Sequence, residues 1–254
     1  MFLRARGPRE TLSPASQRRV AVVTGGARRL GRHLCLALAA RGYGLVIAYR
    51  SSEDEARSLE REIVGGGGSA RALRMDVAAK ASVADAFAGI DRIEGRVDLL
   101  VNNVGNYNPQ DVTALDPDVW DETLASNLSG AYYCCYHALA LMPDGGQIVN
   151  VGMAGLEGIR ANRRGADYFV SKTGLLVLTR ALAAGYAARR IRVNMVSPGQ
   201  LDNSIDLPPP DEIGASVPLG RAGTLEDITQ AVGFLLDAAY VTGVNIDVAG
   251  GYRL

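Results

Sequence analysis

Lysine is scarce in this chain of 254 residues: among 27 Lys and Arg side chains, only Lys80 and Lys172 are lysine. Where arginine is used almost throughout, each retained lysine invites a chemical reason. Cysteine is scarce as well. Cys35, Cys134 and Cys135 are too few for a disulfide framework, and adjacent Cys134 and Cys135 are poorly placed to pair. A reducing, cytoplasmic setting is expected. Net charge is absent, with 27 acidic residues against 27 basic ones, so charge gives no reason to expect a nucleic-acid partner. No apolar run approaches the roughly 20 residues that span a bilayer, so no membrane partner is expected. The two histidines, His33 and His137, have no cysteine or carboxylate cluster at ligand spacing, so no metal site is expected. Aromatic content is 6% but hydrophobic content is an ordinary 48%, so the 30 glycines mean tight turns rather than disorder.

Met1 to Arg19 holds five arginines and two prolines without the apolar stretch of a secretory signal. A disordered Arg-rich extension is expected over residues 1–19, with a mitochondrial transit peptide as the lesser alternative. Residues 20–254 show no linker, repeat or composition shift and read as one domain. Short apolar runs predict strands at Val20–Thr24, Leu45–Tyr49, Ala70–Met75, Val97–Asn102, Gln147–Val151, Ile191–Val196 and Val244–Val248. Helical patterns fall between them, including one long helix over Pro117–Met142 and another over Asp167–Ala188. Ser52 and Glu55 predict a capping box, and the four glycines from Gly65 predict that helix's end. Apolar strands alternating with helices predict an α/β, Rossmann-type doubly wound fold: a seven-stranded parallel sheet with helices on both faces.

Such sheets bind ligands at the carboxyl ends of their strands. The first strand runs into Thr24-Gly25-Gly26-Ala27-Arg28-Arg29-Leu30-Gly31 and then a helix. Small residues there let the backbone approach a pyrophosphate, and the helix N-terminus offers free N–H groups. After the second strand, an acidic residue would bind a ribose 2′-hydroxyl. Here Tyr49, Arg50, Ser51 and Ser52 stand instead, a set suited to a 2′-phosphate and therefore to NADP(H) over NAD(H). Tyr168 and Lys172 lie at i and i+4 on one predicted helix. A lysine ammonium beside a phenol favours the phenolate, which suits tyrosine to proton transfer near neutral pH.

These pieces, with Asp76-Val77, Asn102-Asn103-Val104-Gly105, Asn127, Pro198-Gly199 and the closing Val248-Ala249-Gly250-Gly251, resemble the short-chain dehydrogenase/reductase family over Val20–Leu254. The resemblance implies that Tyr168 moves the proton and that Lys172 holds the nicotinamide ribose and tunes Tyr168. It implies that Asn127 anchors a water in a proton relay. Asp76 and Val77 would flank the adenine, and Asn103 and Gly105 would line the cofactor. A homotetramer or homodimer is implied, and the apolar content of the helices holding Tyr132–Leu141 and Leu175–Ala187 agrees.

Two departures narrow the expectation. Arg29 stands where the family has a second glycine, which is similar to the NADPH-dependent pteridine reductase branch, as are Tyr49–Ser52 and the ending Gly250–Leu254. The family also places a serine after the fifth strand to hold the substrate carbonyl. Counting from the strand puts that position at Met153, and counting back from Tyr168 puts it at Gly155. No Ser or Thr occurs between Ala131 and Val170 under either count. Three explanations are open. The loop from Gln200 to Ser216, with Asp202, Asn203, Ser204 and Asp206, supplies the contact. The substrate is an imine that needs no such donor. Or the protein binds NADPH and turns over poorly. The expected activity is NADPH-dependent reduction of a small C=O or C=N substrate, of pteridine, ketone or imine type. The rivals are an alcohol dehydrogenase working oxidatively with NAD and a sensing protein without turnover.

Overall fold

Val20 to Thr24 is buried at every position, and so is Gly44 to Tyr49 beside it. β-Branched and apolar residues without alternation are what a strand covered on both faces requires. In the computed structural model, which describes residues 18–158, 162–202 and 212–253, these are β1 (Val20–Thr24) and β2 (Gly44–Tyr49). With β3 (Ser69–Arg74), β4 (Leu99–Asn102), β5 (Gln147–Val151), β6 (Arg192–Pro198) and β7 (Asn245–Val248) they form one sheet. Every pairing is parallel and the order is β3-β2-β1-β4-β5-β6-β7. Val22 lies opposite Val46 on one side and Leu100 on the other.

Two cores result, one on each face. Leu34 and Leu38 of α1 (Arg29–Ala40), Leu59 of α2 (Glu53–Gly65) and Ile228 of α8 (Leu225–Asp237) pack on Ala21 and Val23. Phe87 of α3 (Lys80–Ile93), Cys134 of α5 (Gly130–Leu141) and Ala183 of α6 (Ala166–Tyr186) share the opposite core with Val20 and Val22. The sheet order reverses between β1 and β4, and a crevice opens there beyond the strand ends.

Some local expectations need correction. The helix expected over Pro117–Met142 is α4 (Pro117–Leu124), a π-helical turn at Ala125–Ser129, and then α5. α2 runs through Gly65, because the chain turns only at Gly67 with its positive φ. Ser52 is the N-cap of α2 but makes no side-chain capping bond; Glu55 faces Arg28 at 3.6 Å instead. The short α7 (Ile213–Ser216) carries no sequence signal strong enough to have announced it. Arg19, expected to end a disordered extension, is fastened: its guanidinium lies 4.4 Å over the Tyr43 ring and donates to Arg41 O at 3.1 Å. The rest of that extension, residues 1–17, and the expected substrate residue Asn203 lie outside the described residues. Among the described residues no helix is long and apolar enough to cross a membrane.

Candidate active site

β1 ends in a turn whose backbone only small residues allow. Gly25 has φ +60°, and a Cβ at Gly31 would collide with the Gly25 carbonyl oxygen. Arg29 holds φ +48°, an uncommon conformation for a residue with a side chain. Asn103 secures the turn from below. Its amide donates to Thr24 O (3.0 Å) and Gly25 O (3.2 Å), and its main-chain N–H donates to Thr24 Oγ1 (3.0 Å). Asn103 was expected to line the cofactor; both N–H donors of its amide go to the turn.

Beside the turn lies a cleft of about 290 Å³. Gly25, Arg28, Tyr49, Arg50, Ser51, Ser52, Asp76, Val77 and Gly105 line it. Leu30 and Gly31 shape the turn without reaching the cleft wall. Because Ser52 is not consumed as a cap, its hydroxyl is left at the cleft. Arg50 faces Glu122 across it at 3.9 Å. Glu122 was missed: on sequence it reads as an exposed helix residue, and only the fold brings α4 to this cleft.

A second cavity, of about 410 Å³, adjoins the first through Gly105 and Asn106. Arg29, Met153, Tyr168, Pro198 and Gly199 lie on its wall, with Tyr107, Phe169, Gln200, Tyr252 and Arg253, which sequence reasoning had not singled out. The Tyr107 and Tyr168 rings meet edge to face, centres 4.9 Å apart. Gly155 is not on the wall; it lies beneath the stem of Arg253. No Ser or Thr side chain lines this cavity among the described residues.

Lys172 is buried behind Tyr168, one helical turn on. Its Nζ donates to Val151 O at 2.8 Å and to Val104 O at 3.5 Å, and lies 5.7 Å from the centre of the Tyr168 ring. Burial pushes its ammonium down from 10.5 to about 8. A Cβ at Gly105 would stand 3.3 Å from Nζ, so this glycine keeps the lysine tip uncrowded.

Asn127 sits in the π-helical turn and is fully buried. Its Nδ2 donates to Asn106 O (2.9 Å) and Ser171 Oγ (3.2 Å), and its Oδ1 accepts from Asn106 N (2.7 Å) and Ser126 Oγ (3.1 Å). Two donors and two acceptor sites exhaust an asparagine amide. The side chain is thus committed to the surrounding protein. It ties the loop carrying Tyr107 to the helix carrying Tyr168, through Ser171, whose hydroxyl donates to Tyr168 O at 2.8 Å.

Residues 25–253 match the family model described as enoyl-(acyl carrier protein) reductase. The chain is 36% identical over 239 residues to a 3-oxoacyl-(acyl-carrier-protein) reductase of Bos taurus, covering 93% of this chain and 98% of that protein. The chain belongs to the short-chain dehydrogenase/reductase family. This short-chain dehydrogenase/reductase is also 32% identical over 242 residues to an acetoacetyl-CoA reductase of Rhizobium meliloti, covering 92% of this chain and 98% of that one. Among solved structures it resembles a blue fluorescent protein from a metagenomic library, crystallised with NADPH. The TM-score is 0.86 and the identity 35%, over 93% of this chain and 98% of that one. As a member of this family, the protein is an oxidoreductase.

Proposed function

We propose that this protein is an NADPH-dependent reductase that converts a small ketone to an alcohol, with Tyr168 as the proton donor. The observation that carries the reading is the joining of two cavities at Gly105 and Asn106, one edged by Arg50, Ser51 and Ser52, the other by Tyr168. The glycine turn fits a dinucleotide, since Gly31 lets the start of α1 pack against the Gly25 carbonyl, and Gly25 itself lines the cleft where a pyrophosphate would approach. Arg28 and Arg50 with two serines suit a 2′-phosphate. Solved relatives support the same cofactor: the metagenomic blue fluorescent protein holds NADPH, and a landomycin C-6 ketoreductase at 29% identity holds NADP. The reductases of 3-oxoacyl and acetoacetyl thioesters among its relatives support a ketone as substrate.

When bound, the reduced nicotinamide supplies hydride to the carbonyl carbon. Tyr168 gives its proton to the carbonyl oxygen. Lys172, charged below about pH 8, stabilises the negative charge left on the tyrosine oxygen. Asn127 positions both catalytic loops through its saturated amide. Gln200 is the described residue best suited to replace the missing serine. It lines the cavity, its Oε1 accepts from Ser216 Oγ at 3.1 Å, and its Nε2 donors are left for a substrate oxygen.

Met153 on the wall favours a second reading, reduction of a C=N bond, which needs no carbonyl-holding hydroxyl. The pteridine-type version of that reading rests on Arg29 in the turn. Exposed Tyr132 and Tyr136 on α5, with Val170 and Val177 on α6, support assembly of two or four copies through these helices.

The test is NADPH oxidation followed by absorbance with paired ketones and cyclic imines, dihydrobiopterin alongside, and Tyr168→Phe as control. Ketone turnover that falls about 10²–10⁴-fold in Tyr168→Phe is expected. Turnover of imines or the pterin without ketones transfers the reading to C=N reduction. Tight NADPH binding with no turnover of any substrate overturns the enzyme reading in favour of a sensing protein.

A further inference from the structure

We propose that Arg253 holds a carboxylate of the substrate, so that the enzyme prefers flat keto acids to their neutral esters. This deepens the reductase reading and rests on it for the reacting carbonyl.

The chain end is built back over the substrate cavity. Gly250 (φ +60°) and Gly251 (φ +87°) reverse it after β7, and Tyr252 N donates to Ala249 O at 2.9 Å. A Cβ at Gly251 would stand 2.9 Å from Pro218, so the turn lies flush on that residue. Arg253 follows with φ +65°, a conformation that a residue with a side chain adopts only when its surroundings hold it there. The slot for its stem is made by Gly155, where a Cβ would lie 3.0 Å from Arg253 Cβ and Cδ. The guanidinium is then stacked, 4.9 Å from the Phe169 ring centre and 5.0 Å from that of Tyr252.

Rings stacked on a guanidinium occupy its faces and leave its N–H edge, the part that grips a carboxylate in two parallel bonds. No Asp or Glu forms an ion pair with Arg253 among the described residues. The described cavity wall carries two charged side chains, Arg29 and Arg253, and no carboxylate, in a chain whose formal net charge is zero. Arg29 belongs to the dinucleotide turn. Arg253 is the cation of this cavity that the dinucleotide does not claim. Tyr107 and Phe169 on the same wall favour a flat group beside the anion.

The experiment compares phenylglyoxylate with methyl phenylglyoxylate, which differ by the carboxylate charge. Wild-type protein is expected to favour the acid at least about tenfold in kcat/KM, the value of one charge-assisted contact. Arg253→Gln is expected to collapse that ratio about tenfold or more, chiefly through KM for the acid, and Arg253→Lys to restore part of it. A ratio near one in the wild type, or equal losses on acid and ester in Arg253→Gln, overturns the proposal and leaves Arg253 a clip for the chain end. Calorimetric binding of phenylglyoxylate to Tyr168→Phe protein, with and without Arg253→Gln, separates the two readings. Arg253-dependent binding without any ketone turnover in the wild type sinks the reductase reading and keeps the carboxylate site. Binding that ignores Arg253 sinks the site, whatever is turned over.

Discussion

Lys172 Nζ donates at 2.8 Å to the carbonyl oxygen of Val151, the last residue of β5. This bond pins α6, the helix of Tyr168, to the strand end that carries Met153, and it holds the ammonium 5.7 Å from the Tyr168 ring. It also accounts for a lysine in an arginine-rich chain. A compact ammonium with three donors reaches two carbonyl oxygens and fits beneath Gly105, where a planar guanidinium would not.

The same burial makes activity and stability respond oppositely to pH. Lys172 is depressed from 10.5 to about 8, so it is charged below that pH and neutral above it. Reductase turnover that uses the charge should decline as pH rises through about 8. Stability moves the other way. Below pH 8 both folded and unfolded chains hold the proton, and the cost of burying it is present in full. Between about pH 8 and 10.5 the unfolded chain holds more protons, so folding is favoured by about 1.4 kcal/mol per pH unit, about 3 kcal/mol in all. Lys172→Met should therefore raise Tm most below pH 8, with the advantage shrinking towards pH 10.5. A Tm difference independent of pH would contradict a charged, buried lysine.

How legible all this was depends on where each signal resides. The sheet was readable because burial on both faces leaves strands as unbroken apolar runs, and Val20–Thr24 needs no partner to show that. Tyr168 and Lys172 were readable because i, i+4 spacing on one helix is local. Asn127 was readable as a position but not for its bonding, because three of its four hydrogen bonds reach residues 21 and 44 positions away. Glu122 gave no signal, while Gln200 and Arg253 were named only as parts of a loop and of the chain's ending, without a role of their own. Each looks like a solvated polar residue until helix crossing or chain reversal carries it to a cavity wall. The Ser52 capping box did not form: Ser52 makes no side-chain capping bond, and Glu55 stands 3.6 Å from Arg28.

Asp167, beside Tyr168, is fully buried. One carboxylate oxygen accepts from Thr123 Oγ1 at 2.7 Å, and the other has no hydrogen-bond partner. Thr123→Val would strip the side-chain partner from a buried carboxylate in the first turn of α6. A loss of about 1–3 kcal/mol is expected from urea unfolding, together with reduced turnover as the start of α6, next to Tyr168, loosens. Thr123→Ser, which keeps the hydroxyl, should recover most of both.

Arg50 and Glu122 make a prediction about cofactor choice. With the guanidinium facing a carboxylate at 3.9 Å, a 2′-phosphate must compete with Glu122 for it. Both side chains are more than half exposed, so the pair itself contributes little to stability. Glu122→Gln should lower KM for NADPH about two- to threefold, the size of a screened surface charge. Arg50→Glu should raise KM for NADPH about tenfold or more while affecting NADH far less. Equal effects on both dinucleotides would remove Arg50 from 2′-phosphate recognition.

Met153 and Gln200, both on the cavity wall, carry a prediction about how a carbonyl oxygen would be held. Losing one oriented donor at such a site typically costs about 10²–10³ in rate, so a working ketone reductase without the serine must find a donor elsewhere. Gln200 is on the cavity wall, and its acceptor oxygen is already fixed by Ser216, which orients the amide. Gln200→Leu should therefore depress ketone turnover about 10²-fold, mainly in kcat. Met153→Ser in that background should restore about tenfold, since a hydroxyl returned to the end of β5 is near the oxygen but not tuned to it. Cyclic imines, whose nitrogen takes the proton directly, should lose much less in Gln200→Leu than ketones do. If ketone and imine rates fall together, Gln200 shapes the cavity without donating to the substrate. If neither falls, the oxygen is held by a group outside the described wall.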